Sequence, residues 1–345
     1  MKRAAFAIPG DINTVTGGYI YERRLLEGLR AQGREVEHVQ LGATFPAPSP
    51  CVMAHAVGTL GALSPDRVLI LDGLVFGAID TSGLAKVPCP IVAMLHHPLA
   101  LETGLSAADA AWLFKTERDN LTLAAHVLVT SPYTADLYTR EFDVDPSRIT
   151  VALPGTDPQA RSRAPSDPPL ILSVGLQHPR KGHDVLLRAL AQMTDHPWEA
   201  VIVGSAHNPD HAAMLADMVD ALGLGDRVRL AGRISSEALD ELYGRAAVFA
   251  LATRFEGYGM VFDEALTWGM PIVTCETGAV PQTVPADAGR LVPPDDPGAF
   301  AAALRSVVSD GALRGRMGAA AAQAGRRLPT WDDTARIAGT VLDAL

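Results

Sequence analysis

The chain has 345 residues, more than one hydrophobic core usually supports, so two domains with cores of ordinary size are expected. Hydrophobic side chains make up 48% and charged ones 20%, a composition that excludes a largely disordered protein. Twenty-nine basic against thirty-nine acidic residues leave a net charge of −10, which argues against nucleic acid as the main partner, because neutralising phosphates takes a basic surface.

The start, Met1 to Pro9, carries Lys2, Arg3 and a short apolar run, but Pro9, Gly10 and Asp11 cut it too short for a secretory signal. No apolar run approaches the ~20 residues that span a bilayer. Cys51, Cys89 and Cys275 lie far apart in no disulfide or zinc pattern. A cytoplasmic location is therefore expected, with peripheral attachment to a membrane left open. Ala4–Ile8 reads as a buried strand, followed by a glycine turn at Gly17 and Gly18 and an amphipathic helix from Tyr19 to Gln32. Arg23, Arg24, Arg30 and Arg34, interleaved with Glu22 and Glu27, read as a solvated helix face rather than a membrane-binding one. Further strands are predicted at Arg67–Leu71, ending at Asp72, at Ile91–Leu95, ending at His96 and His97, and at His126–Thr130. Short apolar strands alternating with helices indicate a parallel sheet covered on both faces.

The segment from Gly155 to Pro169 is rich in proline and short polar residues and reads as an interdomain linker. A second strand series follows at Leu170–Val174, Ala200–Val203, Val228–Leu230, Ala247–Ala250 and Pro271–Thr274. The expected division is 1–160, 161–328 and a terminal helix over 329–345 that packs back on the first domain. Ligands of doubly wound sheets bind beyond the carboxyl ends of the strands, so loops from both domains are expected to line one cleft.

Phe255-Glu256-Gly257-Tyr258-Gly259-Met260-Val261-Phe262-Asp263-Glu264 follows an apolar strand and leads into an apolar helix. Gly257 and Gly259 let the backbone approach a ligand closely, and the helix beginning after them offers free N–H groups to an anion such as a diphosphate. Glu256 can then accept hydrogen bonds from sugar hydroxyls and Glu264 from ribose hydroxyls. Two glutamates alone would more often be solvated surface charges.

The run from Thr253 to Val284 resembles the glutamate, seven residues, glutamate signature of the retaining glycosyltransferases of family 4. The likeness continues in VTGGYIYERRLLEGL near the start, LPGTD at Leu153–Asp157, SVGLQHPRKGHDVLLRAL from Ser173 and GRLVPPDDPGAF from Gly289, in the family's order. It implies a GT-B fold, α/β with two Rossmann-like doubly wound parallel-sheet domains facing a central cleft, the first binding the acceptor and the second the nucleotide sugar. It implies that Gly17 and Gly18 approach the donor phosphates and the acceptor, that Lys181 neutralises the diphosphate leaving group, that Glu256 holds the sugar and that Glu264 holds the ribose. Gly175 and the run Gly257, Tyr258, Gly259, Met260 and Val261 are implied to touch the donor. Many members carry arginine after the glycine of that first strand turn, whereas here Gly175 is followed by Leu176, so Arg180 is expected to supply the second positive charge.

On the acceptor side, the resemblance places His96 near the transferred sugar, with Asp72 and Glu102 as further candidates. The implied reaction moves a hexose-type sugar from a uridine or guanosine diphosphate donor to a hydroxyl acceptor, with retention, without a protein nucleophile, and with no metal or other cofactor. Domain closure about the linker is expected to exclude water. A dehydrogenase is disfavoured because no G-x-G-x-x-G occurs, and a P-loop NTPase because no G-x-x-x-x-G-K-[ST] occurs. A catalytically silent nucleotide-sugar binder, an assembly subunit or a sugar-nucleotide epimerase of the same fold stays open, as do the acceptor and the oligomeric state.

Overall fold

Runs of apolar residues too short for helices but continuous enough to be buried on both faces build two separate sheets. A computed structural model describes residues 1–157, 163–206 and 208–345. The first series runs β1 (Arg3–Pro9), α1 (Gly17–Ala31), β2 (Val36–Leu41), α2 (Pro50–Gly61), β3 (Arg67–Asp72), α3 (Gly73–Phe76), α4 (Thr81–Leu84), β4 (Ile91–Leu95), α5 (Ala107–Leu121), β5 (His126–Val129), α6 (Pro132–Phe142) and β6 (Ile149–Val151). The second runs β7 (Leu170–Val174), α7 (His183–Ala191), β8 (Glu199–Val203), α8 (Pro209–Ala221), β9 (Val228–Gly232), α9 (Ser236–Arg245), β10 (Ala246–Leu251), α10 (Met260–Thr267), β11 (Ile272–Cys275), α11 (Val280–Thr283), β12 (Gly289–Val292), α12 (Pro297–Ser309) and α13 (Gly311–Gly325). The chain ends in α14 (Trp331–Ala344).

Strand order is β2-β1-β3-β4-β5-β6 in the first sheet and β12-β11-β10-β7-β8-β9 in the second, with neighbours parallel in both. Connections leave in opposite directions from β1 in the first sheet and from β7 in the second, which puts a topological switch point between β1 and β3 and another between β7 and β10. Loops at the carboxyl ends of those strands carry the residues of interest in each half. Every inner strand was predicted, as was β9 at one edge; β2, β6 and β12, which were not, all lie at sheet edges. In Val36–Leu41 the residues Val36, Val39 and Leu41 are buried while Glu37 and Gln40 are exposed, as in an edge strand that is only partly covered.

The chain divides into two compact units, residues 1–155 with 329–345, and residues 156–328. The expected boundary at 160/161 lies outside the described residues. The later part of the proline-rich segment is docked rather than extended: Ala164 and Ser166 donate backbone N–H groups to Gly244 and Arg245, and Arg163 donates to the carbonyls of Gly269 and Ala246.

Within the first unit α14 packs on α1. Thr330 and Asp333 form a capping box at its start, Thr334 donates its hydroxyl to the Leu153 carbonyl at 2.7 Å, and a Cβ on Gly28 would stand 2.6 Å from that of Ala335. Arg34, read from sequence as part of a solvated face, is instead buried: its guanidinium donates to the Asp343 carboxylate at 2.9 Å and to the Gly339 carbonyl at 3.0 Å. A charge that deep needs these partners, and the terminal helix provides them. Among the described residues no helix is long and apolar enough to cross a membrane.

Candidate active site

In the second unit the loops after β7 and β10 are zipped together. Arg254 donates its backbone N–H to the Arg180 carbonyl at 2.8 Å, and the Thr253 hydroxyl reaches the same carbonyl at 3.1 Å. Gly182, at φ +63°, lies so close to β10's exit that a Cβ would sit 1.9 Å from the Ala252 carbonyl oxygen, so only glycine fits. Arg254 also forks onto both oxygens of Asp184 on α7, at 3.0 and 2.9 Å, and reaches Asp295 at 2.7 Å. This clamp fixes the β10–α10 loop against α7.

The clamped loops bring three predicted residues together. Lys181 Nζ donates to Glu256 Oε1 at 2.7 Å, the Thr253 hydroxyl donates to the same oxygen at 3.0 Å, and Arg180 Nη1 stands 3.8 Å from Glu256 Oε2. Glu256 is 4% exposed. Burial pushes its carboxyl up, but Lys181 and Arg180, aided by the bonds from Lys181 and Thr253, outweigh it and hold the group below the usual glutamate range. Its backbone is gripped too: its carbonyl accepts from Ala279 N–H at 2.9 Å, and a Cβ on Gly278 would lie 2.3 Å from that oxygen. Gly175 meets the Lys181 stem, with a virtual Cβ 3.3 Å from Cδ, so the glycine lets the lysine lie across the end of β7.

Gly257, Tyr258 and Gly259 lead into α10, whose first residues are Met260 and Val261. Gly259 is the N-cap at φ +93° and makes no side-chain cap, which leaves the helix start to its own N–H groups. The Tyr258 hydroxyl donates to Asp263 at 2.5 Å, and burial pushes that carboxyl up to about 7. Glu264 Oε2 accepts from the Tyr243 hydroxyl at 2.8 Å, and burial raises this glutamate as well. Leu176 is half-buried, and Arg180 is the cation found beside Glu256 together with Lys181.

In the first unit Gly17 and Gly18 are not a loop: they are the first two residues of α1, after Thr16 as N-cap. A Cβ on Gly18 would stand 3.6 Å from His96 Nε2, at ordinary contact distance. Asp72 ends β3 and caps α3, accepting from the Leu74 and Val75 N–H groups at 2.9 and 3.3 Å. His97 turns away from His96 and pairs with Glu102 at 2.8 Å, so Glu102 is engaged there. Glu22 is a correction: read as part of a solvated helix face, it is 1% exposed, its carboxyl within 4.8 Å of that of Asp72 and its Oε1 3.8 Å from His96 Nε2. Asp143-Val144-Asp145 has the Asp-x-Asp spacing of some metal-dependent transferases, but both carboxylates have local duties, Asp143 pairing with Arg118 and Asp145 capping Ser147 N–H.

Sequence reasoning missed Glu22, Thr253, Arg254, Asp184, Tyr243 and Gly278. All but Tyr243 lie within the stretches that carry the family likeness, but each acts through a contact with another part of the chain that the sequence does not display.

Two six-stranded parallel sheets with polar groups gathered at their switch points make this an α/β protein of the GT-B type. Residues 156–324 match the family described as "Glycosyl transferases group 1", and residues 32–160 match "Glycosyltransferase Family 4". The chain belongs to glycosyltransferase family 4. It is 36% identical over 222 residues to a D-inositol 3-phosphate glycosyltransferase of Nocardioides sp., covering 56% of this chain and 48% of that protein. The protein of the same name from Streptomyces bingchenggensis is 28% identical over 342 residues, covering 88% and 74%. The chain spans about half the length of most of the curated relatives it matches. Among solved structures, sucrose-phosphate synthase from Thermosynechococcus elongatus aligns with a TM-score of 0.84 at 23% identity over 99% of both chains. Anabaena HepE in complex with UDP and glucose aligns at 0.79 and 17% over all of both chains, and these likenesses show the fold.

Proposed function

We propose that the protein transfers a hexose-type sugar from a nucleotide-diphosphate donor to a hydroxyl acceptor, with retention of anomeric configuration. The observation that carries this reading is the Lys181–Glu256–Arg180 cluster at the β7/β10 switch point, beside the uncapped start of α10. Lys181 has three N–H donors; one serves Glu256 and the others are available to a diphosphate. Lys181, Arg180 and the N–H groups of Met260 and Val261 offset the charge that builds on the leaving group. Glu256, kept ionised by its cations, accepts hydrogen bonds from sugar hydroxyls. Glu264 gives one oxygen to Tyr243 and keeps the other for the ribose.

In the transfer itself the bond from C1 to the diphosphate oxygen breaks and a bond from C1 to the acceptor oxygen forms on the same face. The acceptor's proton passes to the departing diphosphate, so no protein nucleophile and no metal is needed. His96 and Asp72 form the acceptor side. Their surroundings are rich in carboxyl groups, Glu22 and Asp72 together, which favours a neutral hydroxyl over a phosphate at that point. HepE was crystallised with UDP-glucose, and the curated relatives are named for D-inositol 3-phosphate. Both names favour a uridine diphosphate sugar as donor and a polyol as acceptor.

The test is a thermal-shift panel of nucleotide sugars. A donor at ~100 times its dissociation constant should add about 2.7 kcal/mol of stability, and no stabilisation by any of them would sink the reading. With a donor in hand, NMR of the product reads retention directly, and the opposite anomer removes the same-face mechanism.

A further inference from the structure

Glu22, Asp72 and His96 converge from three elements that are separate in the chain. Glu22 comes from the second turn of α1, Asp72 from the end of β3 and His96 from the residue after β4. One carboxylate oxygen or ring nitrogen from each lies within 4.8 Å of the others. Glu22 is 1% and Asp72 4% exposed, and their carboxyl oxygens approach each other within 4.8 Å. Two buried carboxyls so close can bond to each other only if one keeps its proton, because two carboxylates can only accept. Glu22 Oε1 is buried with no hydrogen-bond partner, and so is His96 Nε2, the atom it faces at 3.8 Å.

The remaining neighbours are not cationic. Tyr21 meets the His96 ring edge-on with centroids 5.4 Å apart, and Tyr19 lies within the fields of Glu22, Asp72 and Asp11. Among the described residues no Lys or Arg pairs with Glu22, Asp72 or His96. Two like charges in this setting would repel with no cation beside them, whereas one negative charge and one proton fit both the closeness of the carboxyls and the lack of a cation.

We propose that Glu22 and Asp72 share a single proton, and that the one negative charge left on the pair positions His96 by holding its Nε2–H toward Glu22. Nδ1 is then the ring nitrogen with the free lone pair, able to accept a hydrogen bond from a hydroxyl and orient it. Glu22 is thus a positioning residue acting through His96. The catalytic consequence rests on the acceptor-side reading of His96 given above, but the proton sharing and the tautomer do not, and both can be measured without substrate.

The experiment is 15N NMR of the histidine side chains of the full chain, with His96 assigned by its loss in His96→Gln, recorded against pH in wild type, Glu22→Gln, Asp72→Asn and the double variant. Both substitutions keep shape and hydrogen-bonding oxygens. Neutral His96 in wild type should be the Nε2–H tautomer by about tenfold or more. Each single variant still leaves one carboxylate in the pair, so each should move the His96 protonation constant less than about threefold. The double variant removes the charge and should lower that constant about tenfold, roughly one pH unit. Nδ1–H as the main tautomer in wild type overturns the proposal even if a variant fails to fold. So do additive single-variant shifts, which mean two independent charges, and an unmoved constant in the double variant, which means a purely structural role. Stoichiometric binding of added Mn²⁺ or Zn²⁺ that disappears in Glu22→Gln would also overturn it, because the three residues would then be a cation site.

Discussion

Glu256 in the second unit and Glu22 in the first are both almost wholly buried, at 4% and 1% exposure, yet their electrical states differ. Glu256 has Lys181 at 2.7 Å and Arg180 at 3.8 Å and is held below the usual glutamate range. Glu22 has another carboxyl and a histidine beside it, and burial, only partly opposed by the bond to Asp72, pushes it up to about 7. Burial acts on both in the same direction; the presence of a cation decides the outcome. The first arrangement suits a site that must keep a charge. The second suits one that must hold a proton.

The contrast is broken most forcefully at Lys181. Lys181→Met leaves Glu256 buried without its nearest cation, and should cost about 3 kcal/mol at neutral pH in urea melts. Turnover should fall on the order of 10²–10³-fold. The pH dependence gives the sign. In wild type the folded-state pKa of Glu256 is depressed, so its stabilisation is present above the ordinary glutamate range and lost as pH falls through it. In the variant burial acts unopposed, Glu256 takes a proton more readily, and the two proteins should converge in acid. A deficit of the same size at pH 5 and pH 8 would show that Lys181 contributes packing alone.

A third buried glutamate sharpens the comparison from the other side. Glu117 accepts from the Tyr138 hydroxyl at 2.5 Å and from the Leu99 N–H at 3.2 Å, and burial pushes it up to about 7. Its folded-state pKa is raised, so the folded state holds the proton more tightly and stability falls as pH rises from the ordinary glutamate range through about 7. Glu117→Gln should remove about 2 kcal/mol of that fall between pH 5 and 7.5. Parallel pH profiles of variant and wild type would contradict the assignment.

The smallest stability effect is expected at Arg180, which is 22% exposed and 3.8 Å from Glu256. Arg180→Ala should cost less than about 1 kcal/mol. If both cations serve the leaving group, turnover should nonetheless fall about as far as in the Lys181 variant. An unchanged rate removes Arg180 from the mechanism and leaves Leu176 at the usual arginine position without a substitute.

The inner strands were legible because strands covered on both faces must be continuously apolar, and Ile91–Leu95 and Leu170–Val174 read so without ambiguity. Three of the four edge strands were not, since Val36–Leu41, Ile149–Val151 and Gly289–Val292 are short or half-exposed and their pairing depends on a neighbour distant in sequence. The start of α1 at Gly17 was placed two residues late, because glycine reads as a turn when its backbone has no neighbours to define it.

The chain by itself determined the two-domain α/β plan, the family and the stretch from Glu256 to Glu264, because apolar periodicity and contiguous motifs are local properties. Tertiary structure alone decided which charges are kept and which are quenched. Arg34, just past the end of α1, and Glu22, within it, look alike in sequence as solvated charges, but α14 brings Asp343 to the arginine while β3 brings Asp72 to the glutamate. A charged side chain has no fixed state until folding sets its solvent and its partner, and both come from residues hundreds of positions away or a sheet strand apart.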